Sequence, residues 1–507
     1  MRLKNAAKNS FFAVLGQIVL IVVGFFSQRA MNMTAGAQLA GVNGVISNVI
    51  AILSVTELGM STAIVYNLYP CIRDNDEKRC ASIMNLYRKA YTIFASVIMV
   101  LGLICLPFIH LIIKETTYTV GYIRLMFLLW LVRTALSYLL SYRRSILIAD
   151  QREYQITIIT LFVNIINYTS IIILLYTVGE YLVALGLNIV VEIVANIIII
   201  KISDIRYPYL RQYRHLKPEK EVVDSVIDNV KNLFVGRIFT KLLNSTDNLI
   251  ISGFINTLIA GLYSNYFLII NAIIGLMYAV SAAVKPTFGH MFLDEDREKD
   301  VKGLRLLTFI FFLMMSVVVS VVFSISNIFV QDIWLGEKFL FPQITVAFLC
   351  IQLFLTCIGF PLETVIGVTG LFDKDRNISI ATAVVNLVVS LATVSFWGIH
   401  GVILGTICAF VTMISLRIKV FFKDYTGLPV KDYLLDLMGY ILLTILSTEI
   451  SFLLVHRVYD TFNIGVFLLI CIISVVVPVV LDLLVYCRTD RFRETVSVLK
   501  GLLGSKE

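Results

Sequence analysis

The sequence predicts an all-α polytopic membrane protein of about 14 transmembrane helices, built as two parallel six-helix repeats, or lobes, with two further helices at the C-terminus. Three observations lead there. Hydrophobic residues make up 58% of the 507-residue chain and charged ones only 15%, more apolar surface than a soluble domain of that length buries. Apolar stretches of roughly 18 to 25 residues recur from end to end, each enough to cross about 30 Å of hydrocarbon as a helix that satisfies its own backbone. A constant offset also lays one half of the chain on the other, carrying Gly41 onto Gly261 and Asp74 onto Asp294.

The expected spans are residues 10–31, 41–66, 90–113, 121–142, 155–176, 182–202, 233–256, 261–284, 306–330, 343–366, 378–398, 401–420, 438–456 and 465–487. Arg2, Lys4 and Lys8 ahead of Phe11 imitate a secretory signal. The apolar run that follows is too long and lacks a small-residue cleavage site, so it reads as a retained first helix.

Basic residues in short loops resist translocation. The great majority of the 42 Lys and Arg fall at the two termini and in the loops after even-numbered helices. Only Arg29, Lys114, Lys338 and Arg457 fall in the opposite loops, and Arg124, Arg133, Arg237 and Lys241 lie within helices. This distribution predicts a multi-pass membrane protein with cytoplasmic N- and C-termini, in contact with anionic membrane lipids. It argues against nucleic acid as a partner for the net charge of +8. The eight Cys are scattered without a C-x-x-C, and the five His are dispersed, so neither a disulfide scaffold nor a metal site is expected.

In the repeat, Ala40-Gly41 meets Ala260-Gly261, Ser61-Thr62-Ala63 meets Ser281-Ala282-Ala283, and Asp74–Arg79 (DNDEKR) meets Asp294–Lys299 (DEDREK). Six helices is an even number, so both copies keep one orientation, a parallel repeat about an axis along the membrane normal. The resulting domains are an N-lobe at 1–203, a basic cytoplasmic linker at 204–232, a C-lobe at 233–424, and helices 13 and 14 with a cytoplasmic tail at 425–507. Val222, Val223, Val226, Ile227 and Val230 give the linker an amphipathic helical half. Phe492, Val496, Leu499 and Leu503, beside Arg491, Arg493 and Lys500, suit an interfacial helix, and a solvated tail is the plainer reading. Two matched lobes suit alternating access around a central site.

On helix 7, Arg237, Lys241, Asn244, Asn248 and Ser252 follow a spacing of four, three, four and four, one longitudinal stripe flanked by Asp247. Lipid-facing Arg or Lys costs roughly 2.5–3.5 kcal/mol near the bilayer centre, so this face is expected to look into water or protein. The offset sets Gln17 opposite Arg237, Gln28 opposite Asn248 and Asn32 opposite Ser252, with Ile21 and Gly24 breaking the pattern. Other candidate wall residues are Arg29, Asn43, Glu57, Arg133, Glu192, Asn271 and Glu363. Plainer readings stand beside these: Arg237, Lys241, Arg29 and Arg124 can snorkel to an interface, Glu57 and Glu363 can neutralise an Arg, and the amides can glue helices together. Four cations within helices favour an anionic ligand such as a phosphate or pyrophosphate.

The segment Asn244–Ile270, NSTDNLIISGFINTLIAGLYSNYFLII, has a T-D-N-x-x-I-S run at Thr246–Ser252 ahead of G-x-Y-S at Gly261–Ser264. With helix 1 ending in Arg29, Leu58-Gly59 before Ser61-Thr62-Ala63, and Ala149–Tyr154 (ADQREY), it resembles bacterial polysaccharide transporters. These are the lipid-linked oligosaccharide flippases of the multidrug, oligosaccharidyl-lipid and polysaccharide exporter (MOP) superfamily. The resemblance covers essentially the whole chain. It implies translocation of undecaprenyl-pyrophosphate-linked repeat units to the outer leaflet for capsule, exopolysaccharide or O-antigen assembly. Arg29, Arg133, Arg237 and Lys241 would then hold the pyrophosphate. Gln17, Gln28, Asn43, Asn244, Asn248, Ser252 and Asn271 would face the glycan, and Glu57, Asp247 and Glu363 are candidates for coupling to H⁺ or Na⁺. No other cofactor is expected, and a glycan polymerase is a candidate partner.

A multidrug or organic-cation antiporter of the same superfamily is the nearest rival, but it usually has 12 helices and an acidic cavity. A membrane polymerase or ligase is the rival from another class. The short external loops, without a convergent His, Arg and carboxylate set, argue against it and against any enzyme, and no G-x-x-x-x-G-K-[ST] is present for ATP.

Overall fold

The computed structural model describes the backbone except at residues 1, 55–59, 292–295 and 505–507, and the side chains except at 1–14, 55–63, 225–237, 240, 244, 283–284, 286–295 and 498–507. The first series of helices is α1 (Arg2–Leu53), α2 (Met60–Arg73), α3 (Glu77–Cys105), α4 (Ile109–Ile112), α5 (Val120–Ser141), α6 (Arg144–Ala149), α7 (Glu153–Thr177), α8 (Tyr181–Arg206) and α9 (Tyr209–Gln212). The second is α10 (Lys220–Ile250), α11 (Thr257–Met291), α12 (Arg297–Ile328), α13 (Gln343–Ile358), α14 (Phe360–Thr369), α15 (Phe372–Trp397) and α16 (Ile399–Lys419). Helices α17 (Lys431–Val458) and α18 (Ile464–Tyr486) stand outside the repeat, followed by α19 (Asp490–Gly504).

Among the described residues, 12 helical segments are long and apolar enough to cross a membrane, which makes this a multi-pass membrane protein. The expected loop between the first two spans is a single residue. Gly36, at φ 77° and ψ 170°, breaks α1 into two arms. Only glycine enters that region freely, while Met33, Ala35, Ala37, Gln38 and Leu39 on either side are good helix formers, so the helix resumes at once. The 12 segments count α1 once; its second arm and α10 stand where the second and seventh of the roughly 14 spans are expected. Helix α10 starts at Lys220, so the helical half of the expected linker is its first turns.

Repeat-related residues do the same local work. Asp76 caps α3 by accepting from the Arg79 backbone N–H at 3.0 Å, and Asp296, its counterpart, caps α12 through the Glu298 and Lys299 N–H groups at 3.1 and 3.3 Å. Those donors satisfy amides that a helix start leaves unpaired. The Lys299 N–H, above all, holds the Asp296 carboxyl below the usual carboxylate range.

The chain divides into two compact units, Met1–Leu268 and Ile269–Glu507. In the first, α1, α3, α5 and α8 bury Val42, Val45, Ile46, Ile98, Met126, Phe127, Leu131 and Leu185. A second cluster gathers Ile64, Leu68, Ile83, Met84, Ile146 and Ile199. Contrary to the expectation from scattered cysteines, Cys71 and Cys80 form a disulfide across the α2–α3 turn, with Cα atoms 5.6 Å apart; it is a local staple, and six cysteines stay free.

In the second unit α12 buries Phe309, Phe311, Phe312 and Met315 completely. Hydroxyl pairs bind it to α17: Thr308 to Tyr433 at 3.3 Å, Ser316 to Ser447 at 3.5 Å and Ser320 to Thr448 at 3.1 Å. Such pairs are the usual adhesive where apolar burial gives helices no preference for each other over lipid. Helix α19 is tied down by Arg491, 2.6 Å from Asp436, and by Glu494, 2.6 Å from Lys302. Leu442, Leu453, Ile464 and Leu484 lie on the outer surface of α17 and α18, a face that suits lipid and would be unusual in water.

Gly41 and Gly261, equivalent in the repeat, meet where α1 crosses α11. A Cβ on Gly261 would sit 1.8 Å from the Ala37 carbonyl oxygen, and one on Gly41 would sit 2.1 Å from that of Thr257. Rigid backbone is the obstacle on both sides. Gly261→Ala is expected to lower stability by about 1–3 kcal/mol, seen as a reduced Tm of the purified protein. Gly121→Ala, with nothing within 4 Å of the added carbon, is the control and should leave Tm unchanged.

Candidate functional site: a polar cavity in the first unit

Helices in hydrocarbon have no reason to turn amides and charges inward unless something polar is kept there. Inside the first unit they do so around a cavity of about 740 Å³. Helix α5 supplies Trp130, Arg133, Thr134, Ser137, Tyr138 and Ser141, a run of positions that follows helical spacing along one face. Helix α7 adds Asn164, Asn167 and Tyr168, and α8 adds Tyr181, Asn188 and Glu192. The first arm of α1 contributes Ser27 and Gln28, the second Asn43 and Ser47, and α6 brings Arg144. Arg133, Tyr168 and Glu192 stand near the middle of their helices, far from any end to which they could snorkel.

The hydrogen bonds fix the wall. Asn43 Oδ1 accepts from Trp130 Nε1 at 3.1 Å and from the Tyr181 hydroxyl at 3.0 Å, which locks two aromatic rings to α1. The Arg133 guanidinium lies over the Trp130 ring, 5.3 Å from its centroid, a cation–π placement. Glu192 is 3.5 Å from Arg133 and 4.0 Å from Arg144, and Arg144 donates to Asn196 Oδ1 at 3.0 Å. Asn188 Oδ1 accepts from the Ser170 hydroxyl at 2.9 Å. Asn167 is 4% exposed, and among the described residues neither its amide oxygen nor its amide nitrogen has a partner.

Of the residues singled out in the sequence, Gln28, Asn43, Arg133 and Glu192 come together here. The helix 7 stripe goes elsewhere. Asn248 is buried, with Oδ1 3.5 Å from the Ser264 hydroxyl and its amide against Gly44. Ser252 donates to the Ile112 carbonyl at 2.9 Å, and Asp247 accepts from the Tyr263 hydroxyl at 3.1 Å. These three are set in helix packing. Asn32, fully buried, exchanges amide hydrogen bonds with Asn265 at 2.8 and 3.0 Å, and Gln28 donates to the same Asn265 oxygen at 2.7 Å.

Lys241 is half-buried and outside the cavity wall; Gln17, Arg29 and Asn271 are exposed. Arg124 donates to the Pro107 carbonyl at 3.1 Å. Glu363, half-exposed, lies 3.7 Å from Arg417, whose buried guanidinium also holds Asp375 at 2.9 and 3.3 Å, the neutralising pair foreseen as its plainer role. The side chains of Glu57, Arg237 and Asn244 lie outside the described residues.

The sequence reading passed over Trp130, Arg144, Asn164, Asn167, Tyr168, Tyr181 and Asn188. A signal was present: Asn164, Asn167 and Tyr168 at i, i+3 and i+4, and Asn188, Glu192 and Asn196 at four-residue steps, are polar stripes of the kind recognised on helix 7. They carry less charge and so drew less notice.

No family model matches the chain, and no curated sequence is similar to it. Solved structures are similar. One is the lipid II flippase MurJ in an inward closed conformation, 16% identical, with 94% of this chain and 98% of that one aligned at a TM-score of 0.66. Another is an inward-facing multidrug resistance MATE family transporter of the MOP superfamily, 13% identical over 80% of this chain and 94% of that one, TM-score 0.62. A third is a MOP superfamily transporter from Pyrococcus furiosus described by the reverse polarity of its binding pocket, 14% identical over 84% of this chain and 97% of that one, TM-score 0.58. Near-complete coverage at these scores means that the chain has the fold of the MOP superfamily transporters.

Proposed function

We propose that the chain is a flippase for lipid-linked oligosaccharides, moving undecaprenyl-pyrophosphate-linked repeat units from the inner to the outer leaflet of a bacterial cytoplasmic membrane by alternating access. The observation that carries this reading is the polar, aromatic-lined cavity in the middle of α5, α7 and α8, with two guanidinium groups against one carboxylate among its described residues. Taking one hydroxyl or amide from water into an apolar medium without a partner costs roughly 2–7 kcal/mol, and a charged group far more. A sugar head with its diphosphate therefore needs a wet, hydrogen-bonding refuge, while its polyprenyl tail stays in lipid. The likeness to a lipid II flippase supports a lipid-linked head group as cargo.

The cationic balance of the wall weighs against an organic-cation antiporter, because like charge in a low-dielectric cavity repels such a ligand. On this reading Arg133 faces an anionic part of the head and Gln28, Asn43 and Asn167 face hydroxyls. A proton or sodium gradient drives the cycle, both termini are cytoplasmic, and a glycan polymerase takes up the delivered units. The chain acts as a transporter and does no covalent chemistry.

Deleting the gene should trap lipid-linked oligosaccharide in the inner leaflet and stop its glycan from reaching the surface. Arg133→Ala at normal membrane abundance should reproduce most of that loss, about tenfold or more for one charge-assisted contact. Normal surface glycan in the deletion strain, together with raised sensitivity to cationic drugs, would overturn the flippase reading in favour of the multidrug antiporter.

A further inference from the structure

The cavity of the first unit has a charge count as well as a shape. Among the described residues Arg133, Arg144 and Glu192 are its charged lining residues, a formal excess of one positive charge. Glu192 does not lock onto either cation: its distances of 3.5 and 4.0 Å exceed the roughly 2.7–2.9 Å of a charge-assisted hydrogen bond. The Arg133 guanidinium, whose one carboxylate contact among the described residues is this long one, can therefore turn to a second anion, and the charge of Arg144 lies beside it. Asn167 adds an independent sign of a ligand. Leaving a buried amide unpaired costs about 1–3 kcal/mol per group, and among the described residues neither end of this amide, on a helix that lines the cavity, has a partner. Trp130 and Tyr181, pinned through Asn43, complete the set with fixed ring faces.

Together these are the parts that recognise a sugar: ring faces for the C–H side of a pyranose, an amide that both donates and accepts for vicinal hydroxyls, and planar guanidinium groups for an anion. The volume suits a ligand of a few rings.

We propose that this cavity is a saccharide site selective for an acidic sugar, one whose single carboxylate is held by Arg133 in the positive field that Arg144 adds. The inference rests on the flippase reading and narrows its substrate class. A carboxylate brings one negative charge and neutralises the wall. A diphosphate brings two or more and leaves unpaired charge in a partly desolvated space, where burying it is costly. A guanidinium fork also matches the two oxygens of a carboxylate directly. The diphosphate of the carrier is then not the group that Arg133 holds.

The test uses the full chain in nanodiscs with Trp334→Phe and Trp397→Phe, so that Trp130 is the sole tryptophan of the original three. Three probes are titrated against its emission: a disaccharide containing glucuronic acid, the same disaccharide with glucose in that place, and inorganic pyrophosphate. The acidic disaccharide is expected to bind at least about tenfold more tightly than the neutral one, the worth of one or two charge-assisted bonds. Arg133→Gln should bring the acidic probe down to the neutral one, and Arg133→Lys should keep part of the preference. Glu192→Gln, which raises the wall to two positive charges, should strengthen pyrophosphate binding several-fold. Equal binding of the two disaccharides, or pyrophosphate binding more tightly than the acidic disaccharide to the unaltered wall, overturns the acidic-sugar assignment and leaves the flippase reading standing. No response to any probe from protein of native helix content overturns both.

Discussion

A polar group inside a hydrocarbon layer must find a partner, and most of this molecule can be understood as the enforcement of that rule. The backbone obeys it by being helical throughout its membrane-crossing segments. Side chains obey it in pairs: Asn32 with Asn265, Ser320 with Thr448, Arg417 with Asp375. Each pair joins two helices that the lipid would otherwise solvate equally well. The cavity of the first unit is where the rule is relaxed, because there the wall offers donors and acceptors faster than it consumes them. Asn167 is the clearest instance, an amide buried at both ends with no partner among the described residues.

That surplus links packing to transport. Asn43 sits on the second arm of α1, yet through one oxygen it holds a tryptophan of α5 and a tyrosine of α8. The break at Gly36 allows α1 to place its two arms independently, and the glycines at 41 and 261 allow α1 and α11 to touch backbone to backbone. Small residues thus set where helices meet, and the large polar ones are free to line what is left between them.

The sequence made the class of molecule plain, because hydropathy and span length are properties of short windows and do not depend on neighbours. It also exposed the repeat, and the capping roles shared by Asp76 and Asp296 are its local consequence. The cavity was only partly legible. Gln28, Asn43, Arg133 and Glu192 were singled out and do meet. The stripe on helix 7 obeyed the same periodicity, but the described part of it, Asn248 and Ser252, answers to Gly44, Ser264 and Ile112. Periodicity reveals that a face is polar and is silent on whether that face meets water or another helix. Nor does spacing along one chain disclose that Cys71 and Cys80 come together, since that depends on the turn between α2 and α3.

The central claim is that the middle of α5, α7 and α8 encloses water within the membrane. It is tested most directly by a cysteine at position 164, Asn164→Cys, a partly exposed position on the cavity wall, in protein whose six free cysteines have been replaced, assayed for modification by an anionic, membrane-impermeant methanethiosulfonate. The account predicts labelling at 164 and none for Ile173→Cys, a position on the exposed apolar side of α7. An unreactive cysteine at 164 in folded protein would mean a dry, closed seam, and would contradict the account.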